Sequence, residues 1–294
     1  MTTPQILATK LASEIGLSQD LYLKREDLNS YGSHKGRSIP PMIEKYVRDG
    51  RRTFIISSSG NAALAAAKYI GEYNRTSPDN RLNLIIFIGE KIEPKKLSAI
   101  REASEGCGEI EIRQTDNPKQ TAFATKKGSP DTINLRQSTD DAALAGYESL
   151  ANELAEIPDL AAVFIPTSSG TTAQGLYSGF QIFNIHPQIH IIQTPDCHPF
   201  IKTDISDQNE LSLASAIVDR VGHRAIQISQ ILTESKGAGW IATNEEIIAA
   251  IQTVKNTEGI DISPNSALSV VGLKKAVQNG QKFDGPVVCL ITGR

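Results

Sequence analysis

The chain has 294 residues, of which 39% are hydrophobic and 21% charged, and 30 lysines and arginines nearly balance 33 aspartates and glutamates. This composition is that of an ordinary globular protein, long enough for about two domains or one large α/β body, and it excludes disordered and collagen-like chains. Because no block of like charge occurs, nucleic acid and anionic membranes are disfavoured as partners.

Short aliphatic runs, Gly/Ser/Asn turns and helix-period segments alternate along the chain, which is typical of a parallel α/β sheet. Helix starts are marked at Thr243-Asn-Glu-Glu246, a capping box, and at Ser263-Pro264, an N-cap before a first-turn proline. They predict helices over 244–256 and 264–278. The stretch 204–240 carries no clear strand signal. The predicted strands cover residues 53–56, 83–88, 109–113, 132–135, 161–165, 189–193 and 286–291.

Targeting and metal signals are missing from the sequence. The N-terminus lacks a basic start followed by an apolar run, and the longest aliphatic stretch, 84–88, is too short to span a bilayer. Cys107, Cys197 and Cys289 lie far apart without a Cys-x-x-Cys spacing, which argues against a disulfide framework or a zinc site. We therefore expect a cytoplasmic protein and assign no metal.

A first candidate for chemistry is Lys35, in a segment of charges and small residues that runs from Tyr22 to Arg37 and leads into a predicted helix. A lysine that is held against a sheet and partly desolvated has a lowered pKa and can form a Schiff base with a carbonyl. The segment can equally be a solvated charged loop, and composition alone leaves both interpretations open.

Two further candidates are polar turns between a strand and a helix, Ser58-Ser59-Gly60-Asn61 and Ser168-Ser169-Gly170-Thr171-Thr172. Unpaired N–H groups and the positive dipole at a helix start suit a carboxylate or a phosphate, and the hydroxyls add donors. The alternative for the first turn is a helix start that caps itself. The second turn lacks the glycine patterns of P-loops and dinucleotide folds, so it only weakly supports a nucleotide site.

The last candidate is Thr292, at the end of the C-terminal predicted strand. Ligands of α/β proteins bind at the carboxyl edge of the sheet, although a lone threonine there is usually structural. Together the four features supply an amine, an anion-binding turn, a phosphate loop and a hydroxyl partner.

These residues resemble the fold-type II pyridoxal-phosphate (PLP) enzymes, the tryptophan synthase β-chain-like family, and within it the threonine synthases. The resemblance runs through nearly the whole chain. It implies two α/β lobes, each with a mainly parallel sheet flanked by helices: a smaller lobe at 33–135 and a larger one at 1–32 plus 136–294. It also implies a homodimer. The segments that carry it, in the expected order, are 24–35, 58–62, 193–199, 258–267 and 290–293.

By this resemblance, Lys35 binds PLP as a Schiff base and shuttles the α-proton of the substrate. Asn61 bonds the ring hydroxyl oxygen, Thr292 meets the pyridine nitrogen, and the substrate carboxylate is bound by Ser58, Ser59 and Gly60 with Asn61. A neutral hydroxyl at the nitrogen makes the ring a weaker electron sink than a carboxylate would, which favours elimination and replacement over transamination. The cofactor phosphate is bound by Ser168, Ser169, Gly170, Thr171 and Thr172.

Two positions depart from the family pattern. Ser168 stands where threonine synthases usually have glycine, and aligning Gly146 places Ala143 where they carry an arginine. A substrate phosphate would lose its bidentate partner at Ala143, and Arg37 or Arg136 would have to replace it.

The sequence therefore predicts a PLP-dependent enzyme that acts on a small amino acid by α-proton removal and β- or γ-elimination or replacement, with threonine synthase as the nearest activity. A serine/threonine dehydratase-type ammonia lyase or a cysteine synthase-type β-replacement enzyme is the alternative. A non-catalytic binder of a phosphorylated metabolite is an alternative of another class.

Overall fold

The computed structural model describes residues 2–202 and 211–293. The chain forms two compact units: Ser30–Gly146, which we call the inserted unit, and Met1–Asn29 with Tyr147–Arg294, which we call the main unit. The resemblance implies a smaller lobe at 33–135, so the inserted unit extends beyond it at both ends. The C-terminal extension belongs there because Gln137 donates a hydrogen bond to Ser38 and Ala143 is buried in the core of that unit.

Among the described residues, no helix is both long and apolar enough to cross a membrane. The helices are α1 (Thr9–Ile15), α2 (Lys35–Arg48), α3 (Asn61–Thr76), α4 (Pro94–Ser104), α5 (Pro118–Gly128), α6 (Glu148–Ala155), α7 (Thr171–Ile182), α8 (Ala225–Glu234), α9 (Asn244–Glu258) and α10 (Pro264–Gln278). The strands are β1 (Gln5–Leu7), β2 (Leu21–Arg25), β3 (Thr53–Ser57), β4 (Asn83–Gly89), β5 (Ile110–Thr115), β6 (Ile133–Asn134), β7 (Ala162–Pro166), β8 (Gln188–Gln193), β9 (Gly239–Ile241) and β10 (Val287–Ile291).

The predicted strands are confirmed as β3 to β8 and β10, and both marked helix starts are confirmed. Thr243 and Glu246 form the two hydrogen bonds of a capping box, and the Ser263 side chain accepts a bond from the backbone of Ser266. Strands β1, β2 and β9 were not predicted. In the stretch 204–240 the structure has α8 and the start of β9, and residues 203–210 lie outside the described residues.

The main unit is built on a sheet in the order β1-β2-β10-β7-β8-β9, in which β1 is antiparallel to β2 and the other pairs are parallel. Helices α1, α9 and α10 pack on one face and α6, α7 and α8 on the other. Strand β10 shows the alternation: Cys289 belongs to the first core, and Val288 and Leu290 belong to the second. Such two-sided burial produces the continuous apolar runs by which the central strands were predicted.

A buried ion pair ties the N-terminal strands of the main unit to α6. Lys24 on β2 is fully buried, and its Nζ lies 2.5 Å from Glu153 Oε2 and 2.8 Å from the carbonyl oxygen of Thr3. The N–H of Thr3 donates to the same carboxylate oxygen at 3.1 Å. Removing one partner of such a pair leaves an uncompensated buried charge, which costs about 3–5 kcal/mol.

The inserted unit is built on an all-parallel sheet in the order β5-β4-β3-β6. One face carries the larger core, where Phe54 and Ile56 of β3 pack with Ile39 and Ile43 of α2. The other face is covered by α5, whose Ala122 packs on neighbouring side chains of β3 and β4. Strand β3 is therefore held from both sides, which positions the turn that follows it.

Close backbone packing fixes the C-terminal end of the inserted unit. Pro41 inside α2 lacks the N–H that would bond the carbonyl of Arg37. The backbone of Gly146 approaches this carbonyl so closely that a Cβ at position 146 would lie 1.7 Å from its oxygen. Only glycine fits there without a shift of the backbone.

The buried His190 on β8 is held as a neutral ring. Its ring stacks on Phe164 with centroids 4.3 Å apart, and Trp240 Nε1–H donates to its Nδ1 at 3.1 Å. Because the indole is only a donor, Nδ1 is unprotonated and Nε2–H donates to Gln188 Oε1 at 3.1 Å. Burial lowers the pKa of His190 from 6.5 to about 3.

We predict that His190 makes the protein less stable in mild acid. As the pH falls below about 6.5, the unfolded chain binds a proton that the folded chain does not, so the free energy of unfolding falls by about 2 kcal/mol between pH 7 and pH 5. Urea unfolding at both pH values should show a smaller loss in His190→Gln, whereas replacement of the exposed His186 by glutamine should leave the loss unchanged. An equal loss in all three proteins would contradict this account.

We predict that Gly146→Ala lowers the free energy of unfolding by about 3 kcal/mol, because the added methyl group must displace the Arg37 carbonyl or the chain around it. Gly128→Ala is the matched control, since a Cβ there meets nothing within 4 Å. Its stability should stay within about 0.5 kcal/mol of the wild type in denaturant unfolding. Equal stability of the two variants would disprove the packing argument.

Candidate active site

Lys35 is the first residue of α2, and its backbone N–H bonds the side chain of buried Ser33 at 3.2 Å. Helix α2 ends at Arg48, and only four residues separate it from β3, which begins at Thr53. Because α2 spans ~21 Å and β3 ~17 Å, so short a connection makes the helix run back along the strand. Lys35 therefore lies near the carboxyl edge of the inserted sheet, and its ammonium group has no bonded partner in the described chain.

The turn after β3 lies at the same edge. Gly60 precedes α3, and among the described residues no side chain caps this helix. The Ser58 hydroxyl accepts the N–H of Gly60 at 3.3 Å, which lies before the helix. The first N–H groups of α3 have no partner within the helix itself. The amide of Asn61 and the hydroxyl of Ser59 also have no partner in the described chain. The alternative of a helix start that caps itself therefore does not match the structure of the described residues. The turn is instead suited to binding an anion.

The loop after β7, in the main unit, is also suited to binding an anion. Gly170 has a φ of +79°, and a Cβ there would lie 2.9 Å from Ile228, so both the backbone and the packing require glycine. Helix α7 follows without a side-chain cap from the described chain. The hydroxyls of Ser169 and Thr171 lie 2.8 Å apart, and Thr172 donates to the Tyr147 hydroxyl at 3.0 Å.

Ser168 has an additional role that the sequence did not reveal. Its Oγ accepts the backbone N–H groups of Val218 at 3.1 Å and Asp219 at 3.2 Å. Because these donors lie about fifty residues further along the chain, no local pattern signals the contact. The serine that replaces a glycine of the family pattern therefore joins the loop to a distant segment.

Thr292 follows β10 and is 4% exposed. Its neighbour Gly293 is held by the start of α10: the Gly293 carbonyl accepts from Ser263 Oγ at 2.6 Å and from Ser266 Oγ at 2.9 Å, and its N–H donates to Ser266 Oγ at 3.3 Å. The sequence marks Ser263 as a helix cap, and both serines lie in the segment 258–267 that carries the family resemblance, but no local pattern predicts their bonds to Gly293. Strand β10 pairs in parallel with β7, so Thr292 and the 168–172 loop share one edge of the main sheet.

The three positions considered for a substrate phosphate, Ala143, Arg37 and Arg136, all belong to the inserted unit. Ala143, which aligns with the arginine of threonine synthases, is fully buried in the inserted-unit core. Arg37 is 5% exposed, and the Arg136 guanidinium lies over the Phe123 ring, 4.9 Å from its centroid. Across the described ranges, no three His, Cys, Asp or Glu side chains come together as metal ligands.

Comparisons with known proteins show the family of this chain. A family model described as "Pyridoxal-phosphate dependent enzyme" matches residues 1–293. The threonine synthase of Methanosarcina acetivorans is 28% identical over 312 residues, covering 99% of this chain and 74% of the relative. That of Mycobacterium tuberculosis is 29% identical over 303 residues, covering 99% of this chain and 80% of the relative.

Among solved structures, the processed form of threonine deaminase isoform 2 from Solanum lycopersicum shares the fold. It superimposes with a TM-score of 0.82 at 20% identity, covering 100% of this chain and 84% of that chain. The curated relatives make the sequence threonine synthase-like. Because the family model spans nearly the whole chain, this protein belongs to the pyridoxal-phosphate-dependent enzymes.

Proposed function

We propose that this enzyme removes the α-proton of a small amino acid and completes a β- or γ-elimination or replacement. The observation that carries the proposal is the amine of Lys35, which has no bonded partner in the described chain and lies at the same sheet edge as the uncapped Ser58–Asn61 turn. An amine in this state is available both to bind a carbonyl and to move a proton.

The residues fit the cofactor. In the main unit, the 168–172 loop offers helix-start N–H groups and the Ser168 hydroxyl to a phosphate dianion, and the positive φ of Gly170 allows the backbone to curve around it. No carboxylate belongs to this loop. In our proposal these residues bind the PLP phosphate, Thr292 meets the pyridine nitrogen and Asn61 bonds the ring hydroxyl oxygen.

When bound, PLP supplies an aldehyde that forms a Schiff base with a primary amine and a ring that withdraws electrons from the α-carbon of the substrate. Lys35 would hold the cofactor by its Nζ and would carry the α-proton of the substrate. Ser58, Ser59 and Gly60 bind and orient the substrate carboxylate at the start of α3, where the dipole favours negative charge.

The relatives support threonine formation from O-phosphohomoserine as the nearest named reaction. One observation favours the alternative of a serine/threonine ammonia lyase or a cysteine synthase-type enzyme: position 143 is an uncharged alanine, so it supplies no cation to a substrate phosphate. A non-catalytic binder of a phosphorylated metabolite would use the 168–172 loop but would leave Lys35 and Thr292 without a role.

A cytoplasmic location and a homodimer complete the proposal. Free Cys107, Cys197 and Cys289 fit a reducing compartment. The homodimer is proposed because the family resemblance implies it. Light scattering should give twice the chain mass of 31.8 kDa; a monomer would remove the dimer from the proposal.

We predict that Lys35→Ala, mixed with PLP and dialysed, lacks the visible absorbance band of a protein-bound Schiff base that the wild type shows. Lys45→Ala is the matched control, because Lys45 lies on the same helix in an exposed ion pair with Asp49. It should keep the band. No band in the wild type would remove the catalytic proposal and leave the binder of a phosphorylated metabolite.

We predict that Thr292→Asp lowers kcat for elimination or replacement by about tenfold or more, since a carboxylate would keep the pyridine nitrogen protonated and strengthen the ring as an electron sink for competing transamination. Thr292→Ser keeps the hydroxyl and should stay near the wild-type rate. PLP absorbance, recorded for each variant, separates lost binding from altered chemistry. Wild-type turnover by Thr292→Asp would refute the argument about the ring.

The substrate class is tested on the holoenzyme with O-phosphohomoserine, serine, threonine and O-acetylserine plus sulfide. We expect phosphate release and threonine formation from the first. Keto-acid release from serine or threonine, or cysteine formation from O-acetylserine, without turnover of O-phosphohomoserine, would instead establish the alternative.

A further inference from the structure

Residues 211–219 of the main unit, which we call the strap, form neither helix nor strand. Side chains from helix starts bond the strap's backbone. Asn244 Oδ1 accepts the N–H of Leu213 at 2.8 Å, and Asn265 Oδ1 accepts the N–H of Ala216 at 2.9 Å. The strap is therefore held from outside itself, at separate points along its length.

The last of these points is the candidate phosphate loop. Ser168 Oγ accepts the N–H groups of Val218 and Asp219, which occupies both acceptor positions of a hydroxyl. The hydroxyl hydrogen remains, and Ser168 donates it to no atom of the described chain. Ser168 therefore has one unused donor, in a loop whose other groups suit an anion.

The position of the strap connects it to the second candidate cofactor contact as well. Asn265, which holds the middle of the strap, is followed by Ser266, which fixes Gly293 beside Thr292. Two side chains of the strap, Ala214 and Ile217, are 0% and 5% exposed and pack into the core of the main unit. The strap thus follows the sheet edge on which Thr292 and the 168–172 loop both lie.

We propose that Ser168 couples phosphate binding in the 168–172 loop to closure of the strap. The O–H of Ser168 donates to a phosphate oxygen while its Oγ holds the N–H groups of Val218 and Asp219. This rests on the proposed function, in which that phosphate belongs to PLP. Each N–H that donates to the oxygen polarises the O–H and strengthens its bond to the anion.

The coupling is reciprocal, as linkage requires. At equilibrium, the phosphate lowers the detached fraction of the strap by the same factor by which the closed strap raises the affinity for phosphate. Cooperative strengthening of two hydrogen bonds of ordinary net strength corresponds to an effect of about twofold. Ser168 is a positioning residue in this scheme, since it fixes the strap through the anion and does not act on the substrate.

Hydrogen exchange at the amides of Val218 and Asp219 tests the coupling. It is measured on the holoenzyme, on enzyme stripped of PLP, and on stripped enzyme with inorganic phosphate. We expect exchange about twofold slower with PLP than without it, and a smaller slowing with inorganic phosphate. Ser168→Ala at saturating PLP should remove the difference at these amides, and Ser168→Thr, which keeps the hydroxyl, should restore it.

Ser212→Ala is the matched control, because the Ser212 hydroxyl bonds Ala214 within the strap and not the loop. It should keep the PLP-dependent protection. Bound PLP with unchanged exchange in the wild type, or with protection retained in Ser168→Ala, would overturn the coupling and leave the proposed function intact. Protection by phosphate without a PLP absorbance band would support the coupling and overturn the proposed function. No binding of either ligand would overturn both.

Discussion

Parallel pairing of β10 with β2 and β7 is the constraint on which the candidate site of the main unit depends. Strands that run in parallel end at one edge of the sheet, so residues far apart in the chain meet there. Cys289 is paired with Phe164, and Ile291 is paired with Arg25. Thr292 and the loop after β7 consequently share an edge. In the inserted unit, α2 runs back along β3, which places Lys35 at the edge where the turn after β3 lies.

Serine hydroxyl groups fix the backbone of segments at the sheet edge that the strand register defines. Ser263 and Ser266 hold Gly293, and Ser168 holds Val218 and Asp219, in each case by bonds between a side chain and the backbone. At Gly293 both holding groups are neutral hydroxyls, so the backbone beside Thr292 is fixed without a carboxylate. The chemistry proposed for Thr292 depends on this neutrality, because a nearby carboxylate would change the protonation of the ring that it meets.

Most of the fold could be predicted because parallel strands that are buried on both faces have continuous apolar runs in their sequence, as in β4 and β7. Strand β2 was missed because it contains Lys24 and Arg25, and Lys24 is neutralised by Glu153, which no local pattern reveals. The candidate site residues were proposed from motifs, but their supports were not. The contacts of Ser168 with Val218 and of Ser266 with Gly293 join distant parts of the chain, so they can be identified only in the folded structure.

The central claim is that the Nζ of Lys35 binds the cofactor. The most direct measurement is reduction of the purified holoenzyme with borohydride, which converts a Schiff base to a stable amine, followed by digestion and mass spectrometry of the labelled peptide. The account predicts a single pyridoxyl group on Lys35, in a peptide that contains Ser33 and Gly36. Label on another lysine such as Lys24 or Lys68, or no label on a protein that shows turnover, would contradict it.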